Sequence, residues 1–126
     1  MSYGNARWLG RVPTESLCPK GIIAAGGLYA LENNRGRLSA DHALAKELAG
    51  RLDRMEGLSC DPAGVQTNLV IVNVAGGAPS LSERLAERGV MVMALSPDAL
   101  RFVTHMGVGP ADLDALEASL QEILGG

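Results

Sequence analysis

The spacing of apolar residues changes twice along this chain, and that change limits what it can fold into. Leu44, Leu48, Leu52 and Met55 recur at spacings of four, four and three, which is one stripe on an amphipathic helix. Between residues 68 and 105 the pattern tightens to β-prone runs: "NLVIVNV" (68–74), "VMVMAL" (90–95) and the segment 99–105. Leu113, Leu116, Leu120, Ile123 and Leu124 then restore helical spacing. A chain built this way must cover a small sheet with helices.

The punctuation sharpens the elements. Pro19 fits the first turn of a helix, where its missing N–H costs nothing, and Ile22, Ile23, Leu28 and Leu31 are expected on one side of that helix. "NNRG" (33–36) predicts a kink or break before the Leu44 stripe. Gly57 is suited to a left-handed helix end. "NLVIVNV" predicts a strand buried on both faces. Ser80 with Glu83 fits a capping box for a helix stopping at Gly89. "SPD" turns the chain between the last two strands, and Pro110 opens the final helix. The expected order is α-α-β-α-β-β-α: an α+β fold with a small three-stranded, mostly antiparallel sheet covered by helices. Residues 1–16 lack periodicity and read as an irregular leader. Residues 17–126 form one domain, with no linker and no internal repeat.

Composition excludes several classes. Net charge is −3 with both signs interspersed, and without a basic stripe nucleic acid is not an expected partner. "GIIAAGGLYAL" and "GVMVMAL" fall short of the roughly 20 residues a membrane span needs. The N-terminus has no apolar h-region, so the expected address is the cytoplasm. Cys18 and Cys60 are far apart and His42 and His105 are isolated, so no metal site is expected. The thiols read as reduced, without a role. "AGGAP" and "GIIAAGG" match neither a dinucleotide fingerprint nor a P-loop. The pairs Asp112/Asp114 and Glu117/Glu122 read as the solvated face of a helix.

One stretch stands out. In "LRFVTHMGV" (100–108) an arginine interrupts a β-prone run. Strand alternation puts Leu100, Phe102 and Thr104 on one face, the natural core face, and Arg101, Val103 and His105 on the other. A guanidinium suits a bidentate grip on a carboxylate, and His105 could serve as a base. The plainer alternative is an edge strand with its polar face in water.

Four segments in order, "GIIAAGGLYALENN", "RLSADHALAKELAGRL", "VQTNLVIVNV" and "LAERGVMVMALSPDALRFVTHMGV", resemble the C-terminal part of the pyridoxal-phosphate-dependent threonine aldolases. "DHALAKELA", "QTN" and "R-x-VTH" are the specific pieces, and the likeness runs over about residues 17–124. The resemblance implies the small domain of a fold type I enzyme that cleaves L-threonine or L-allo-threonine to glycine and acetaldehyde. It implies that Arg101 binds the substrate carboxylate, with His105 as a cleft neighbour. It also implies what is missing from this segment: the large domain, its Schiff-base lysine and most cofactor ligands. Neither Lys20 nor Lys46 falls where the family's lysine does. "LCPKG" puts Cys18 where the family has an arginine linked to the cofactor phosphate, and "THMGV" puts Gly107 in place of an aspartate. The expected catalytic set within the chain is therefore empty. The chain is expected to be inactive alone and to need a separate large domain, or its own copies, as partner. A non-catalytic pseudoenzyme or interaction module is the alternative. A self-sufficient enzyme using Lys20 is a third possibility.

Overall fold

The computed structural model describes residues 20–126, Lys20 through its backbone alone. The leader expected over 1–16, Cys18 and Pro19 lie outside these residues. The chain divides into two units, one ending at Gly36 and one starting at Arg37. In the first, helix α1 spans Lys20–Asn33. Ile22, Ile23, Leu28, Tyr29 and Leu31 are all exposed. They do not form the expected one-sided stripe. Ile22 and Leu31 are nine residues apart, about two and a half turns, so they point to opposite sides. A single residue, Asn34, separates α1 from helix α2 (Arg35–Leu52), so the chain breaks at "NNRG" as its residues imply.

In the second unit, α2 buries Ala45, Leu48, Ala49 and Leu52, the i, i+3, i+4, i+7 set of one helical face. Met55 lies beyond the helix end, and Gly57 takes its left-handed backbone (φ +85°) at the turn into the sheet. The sheet has four strands, β1 (Leu58–Ser59), β2 (Leu69–Val74), β3 (Met93–Ser96) and β4 (Ala99–Val103). Their order is β1-β2-β4-β3, and each neighbouring pair is antiparallel. The expected three-stranded sheet is thus one strand short. β1 is two residues long and carries no period by which to recognise it.

Helix α3 (Ala78–Ala86) starts after Gly77, whose φ is +99° and which offers no side-chain cap. Ser80 lies inside the helix, so the expected capping box does not form. The glycine instead lets the chain turn sharply from β2 into the helix. Helix α4 (Pro110–Leu124) does open on Pro110, and the Asp112 carboxylate accepts the Gly109 N–H at 2.7 Å. Its buried stripe is Leu113, Leu116, Leu120 and Ile123.

One apolar core joins these elements: Leu48 and Leu52 from α2, Val70, Val72 and Val74 from β2, Leu81 and Leu85 from α3, Leu100 and Phe102 from β4, and the α4 stripe. The acidic residues of α4 do more than face water. The Arg51 guanidinium donates to Asp114 (2.5 Å), Glu117 (3.2 Å) and, on its own helix, Glu47 (2.7 Å). Hydrogen bonds from Asp114 and then Glu47 hold its pKa above arginine's ordinary value. Arg88 pairs with Glu122. Among the described residues no helix is long and apolar enough to cross a membrane.

The end of β4 is fastened by three hydrogen bonds to two partners. Thr104 is buried, and its Oγ1 donates to the backbone carbonyl of Asp41 in α2 at 2.8 Å. Its N–H donates to the Asn68 carbonyl at 2.9 Å, and Asn68 Nδ2 returns a bond to the Thr104 carbonyl at 2.8 Å. Thr104→Val keeps the side chain's shape and removes its donor. Stability is expected to fall by about 1–2 kcal/mol, seen as a lower urea midpoint at unchanged m. An unchanged midpoint would show that the hydroxyl carries no net stability.

Candidate functional site

Strand β4 carries the arginine that the alternation singles out. Leu100 and Phe102 are buried beneath it, as expected of the core face, while Arg101 is half-buried and Val103 exposed on the opposite face. Cross-strand register places Ile71 of β2 and Met93 of β3 on either side of Arg101, and Leu69 beside Val103. Leu69, Ile71 and Met93 are all exposed, Ile71 at 55%. β2 is therefore not buried on both faces. Its burial alternates, with Val70, Val72 and Val74 inward and Leu69, Ile71 and Asn73 outward. The result is an open, largely apolar sheet face with a guanidinium at its centre.

Among the described residues, the Nε of that guanidinium is buried and has no hydrogen-bond partner. The surrounding Ile71 and Met93 offer no side-chain acceptor. An unsatisfied buried donor costs about 1–3 kcal/mol, so this side chain does not serve the fold. It is suited to an anion arriving from outside, where apolar walls strengthen a charge-assisted bond.

His105 follows Thr104 and is exposed. It does not sit in the regular strand, which ends at Val103. Its Nδ1 accepts the Gly107 N–H at 3.0 Å, and its carbonyl accepts the Val108 N–H at 2.9 Å. Lys46 lies exposed on α2, unlike a Schiff-base lysine, whose pKa must be lowered by burial or a nearby cation. The described side chains therefore offer no lysine suited to pyridoxal phosphate. Among them, no group of three or more His, Cys, Asp or Glu could hold a metal ion.

Cys60 is half-buried, and its Sγ donates to the Ala49 carbonyl at 3.0 Å. Burial first, then the charges of Asp53 and Asp61, push its thiol up.

With this geometry in hand, comparison with known proteins is informative. Residues 4–75 match the family model of the beta-eliminating lyases, and the chain belongs to that family. Its curated relatives are threonine aldolases. A probable low-specificity L-threonine aldolase of Arabidopsis thaliana is 30% identical over 122 residues, 94% of this chain and 34% of that protein. The low specificity L-threonine aldolase of Escherichia coli K12 is 35% identical over 105 residues, 82% of this chain and 30% of that protein. The chain thus spans about a third of the length of the curated relatives it matches. Among solved structures, the cystine C–S lyase C-DES with its product cysteine persulfide superposes with a TM-score of 0.63 at 20% identity, over 79% of this chain and 28% of that one. A lysine-to-alanine mutant of C-DES, with glycine covalently linked to the PLP cofactor, gives 0.60 at 21%, over 65% and 22%. These two likenesses establish the fold.

Two predictions follow from the site. Arg101→Leu removes a buried donor without a partner, so it is expected to leave the chain at least as stable as the parent, by up to about 1–3 kcal/mol, seen as an unchanged or higher urea midpoint; a large loss would make Arg101 structural. For Cys60, the folded chain holds its proton more tightly than the unfolded chain. The associated stability is complete below the unfolded thiol's pKa, about 8.5, and is lost as pH rises through the higher folded value. In a Cys18→Ser background at pH 8.5, iodoacetamide should alkylate Cys60 more slowly in the folded chain than in urea. Equal rates would contradict the shift.

Proposed function

We propose that this chain is the small domain of a pyridoxal-phosphate-dependent threonine aldolase, and that Arg101 binds the α-carboxylate of the amino-acid substrate. The observation that carries this reading is the unpartnered guanidinium at the centre of an open apolar sheet face. Such a face is half of a cleft. The other half, with the Schiff-base lysine and the cofactor's ligands, belongs to a large domain supplied by a partner chain or by more sequence. The relatives' greater length supports this, and so do the threonine aldolase names of the sequences it matches. When bound, the cofactor supplies the electron sink for the reaction, and this domain supplies the carboxylate grip. A cytoplasmic location is part of the same reading.

Described residues alone are expected to cleave nothing. With pyridoxal phosphate and L-threonine, the isolated chain should release no acetaldehyde above a protein-free control, read by coupled alcohol dehydrogenase. Turnover above that control would overturn the requirement for a large domain. Completing the cleft is the positive test. Combined with the large domain of a threonine aldolase relative, the chain should yield threonine-dependent glycine. Arg101→Leu should then lower kcat/KM at least about 30-fold, the loss of one partner of a buried charge pair. Activity indifferent to Arg101 would end its assignment, and no activity with any large domain would favour a non-catalytic interaction module.

A further inference from the structure

Beside the open face, a cavity of about 520 Å³ lies between the end of β4 and α4. That volume is within the range of small-molecule sites. Its apolar wall includes Val90, Met91, Val103, Val108, Leu113 and Leu116. His105 and Gly107 also line it. The other side-chain donors on the wall are directed elsewhere: Arg88 to Glu122, Thr104 to the Asp41 carbonyl, Ser119 to the Ala115 carbonyl.

His105 differs. A neutral imidazole has one N–H and one acceptor nitrogen. Because Nδ1 accepts the Gly107 N–H at 3.0 Å, the ring proton must sit on Nε2. Gly107 makes the arrangement possible sterically as well. A Cβ at this position would lie 3.0 Å from His105 Cε1 and 3.2 Å from Nδ1, so the ring would have to give by a few tenths of an ångström. Gly107 is thus a positioning residue for the imidazole. In that arrangement the ring presents its Nε2–H as a donor.

We propose that this cavity is a binding site for a small apolar molecule carrying one hydrogen-bond acceptor oxygen, such as a ketone or aldehyde, with His105 Nε2–H as its donor. The site stands on different residues from Arg101, and the fate of one assignment does not decide the other.

The test uses the full chain labelled with ¹⁵N. Long-range proton–nitrogen correlations are recorded at a pH where the imidazoles are neutral. His105 is expected to show a protonated Nε2 and a bare Nδ1. A ring carrying its proton on Nδ1, or exchanging between both forms, overturns the proposal. In Gly107→Ala, whose backbone is not strained by the added methyl, the ring must give by a few tenths of an ångström, and the His105 Nδ1 and Nε2 shifts should move; unmoved shifts would count against the proposal. Cyclohexanone is then titrated. Saturable shifts at His105 Nε2 and at the methyls of Val103 and Val108 are expected. Affinity should be about three- to tenfold weaker in His105→Asn, the value of one neutral hydrogen bond. That variant keeps an acceptor for the Gly107 N–H and reaches no donor to the Nε2 position. No saturable shift, or equal affinity in the variant, refutes the site.

Discussion

The Thr104 hydroxyl, donating to a helix carbonyl 63 residues earlier in the chain, is the contact on which the rest of this unit hangs. It fastens the end of the central strand pair to α2. Its backbone bonds with Asn68 close the same end from the side of β2. The three sequence pieces that carry the resemblance, "DHALAKELA", "QTN" and "R-x-VTH", meet here through Asp41, Asn68 and Thr104. Their shared work is structural. They fix where β4 lies, and β4 in turn decides where Arg101 points.

This explains why so little of the site resides in the residues that could do chemistry. A buried hydroxyl bonded to a backbone carbonyl is satisfied and silent. A guanidinium without a partner is neither. The polar bonds at the end of β4 hold the strand still, and Arg101 faces outward among Ile71, Met93 and Val103.

How much of this the sequence disclosed depends on the length of each signal. The stripes of α2 and α4 are long, and Leu48, Leu52, Leu113, Leu116, Leu120 and Ile123 are buried as the spacing implies, while Leu44 and Met55 are only partly buried and Leu124 is exposed. The alternation in β4 assigned Leu100, Phe102 and Thr104 inward and Arg101 outward, and the structure agrees. Two-residue β1 is too short to carry any period. The start of α3 hid behind a plausible Ser80–Glu83 pair, because Gly77 caps by backbone freedom rather than by a side chain. The outward apolar residues of β2 and the all-round apolar character of α1 misled for a different reason. Hydrophobicity states that a residue wants cover, and it is blind to whether that cover comes from the same segment. The His105–Gly107 contact was illegible because it depends on an atom that glycine lacks.

The alternation of β4 has a consequence for how this domain can change over time. One strand of five residues writes two messages in interleaved letters, one read by the core and one by the open face. A single inserted or deleted residue between Ala99 and Thr104 would exchange them, sending the guanidinium into the apolar interior and Leu100 out. Substitutions can therefore retune either message alone, but a change in length corrupts both at once. The segment is free to vary in its letters and bound in its count.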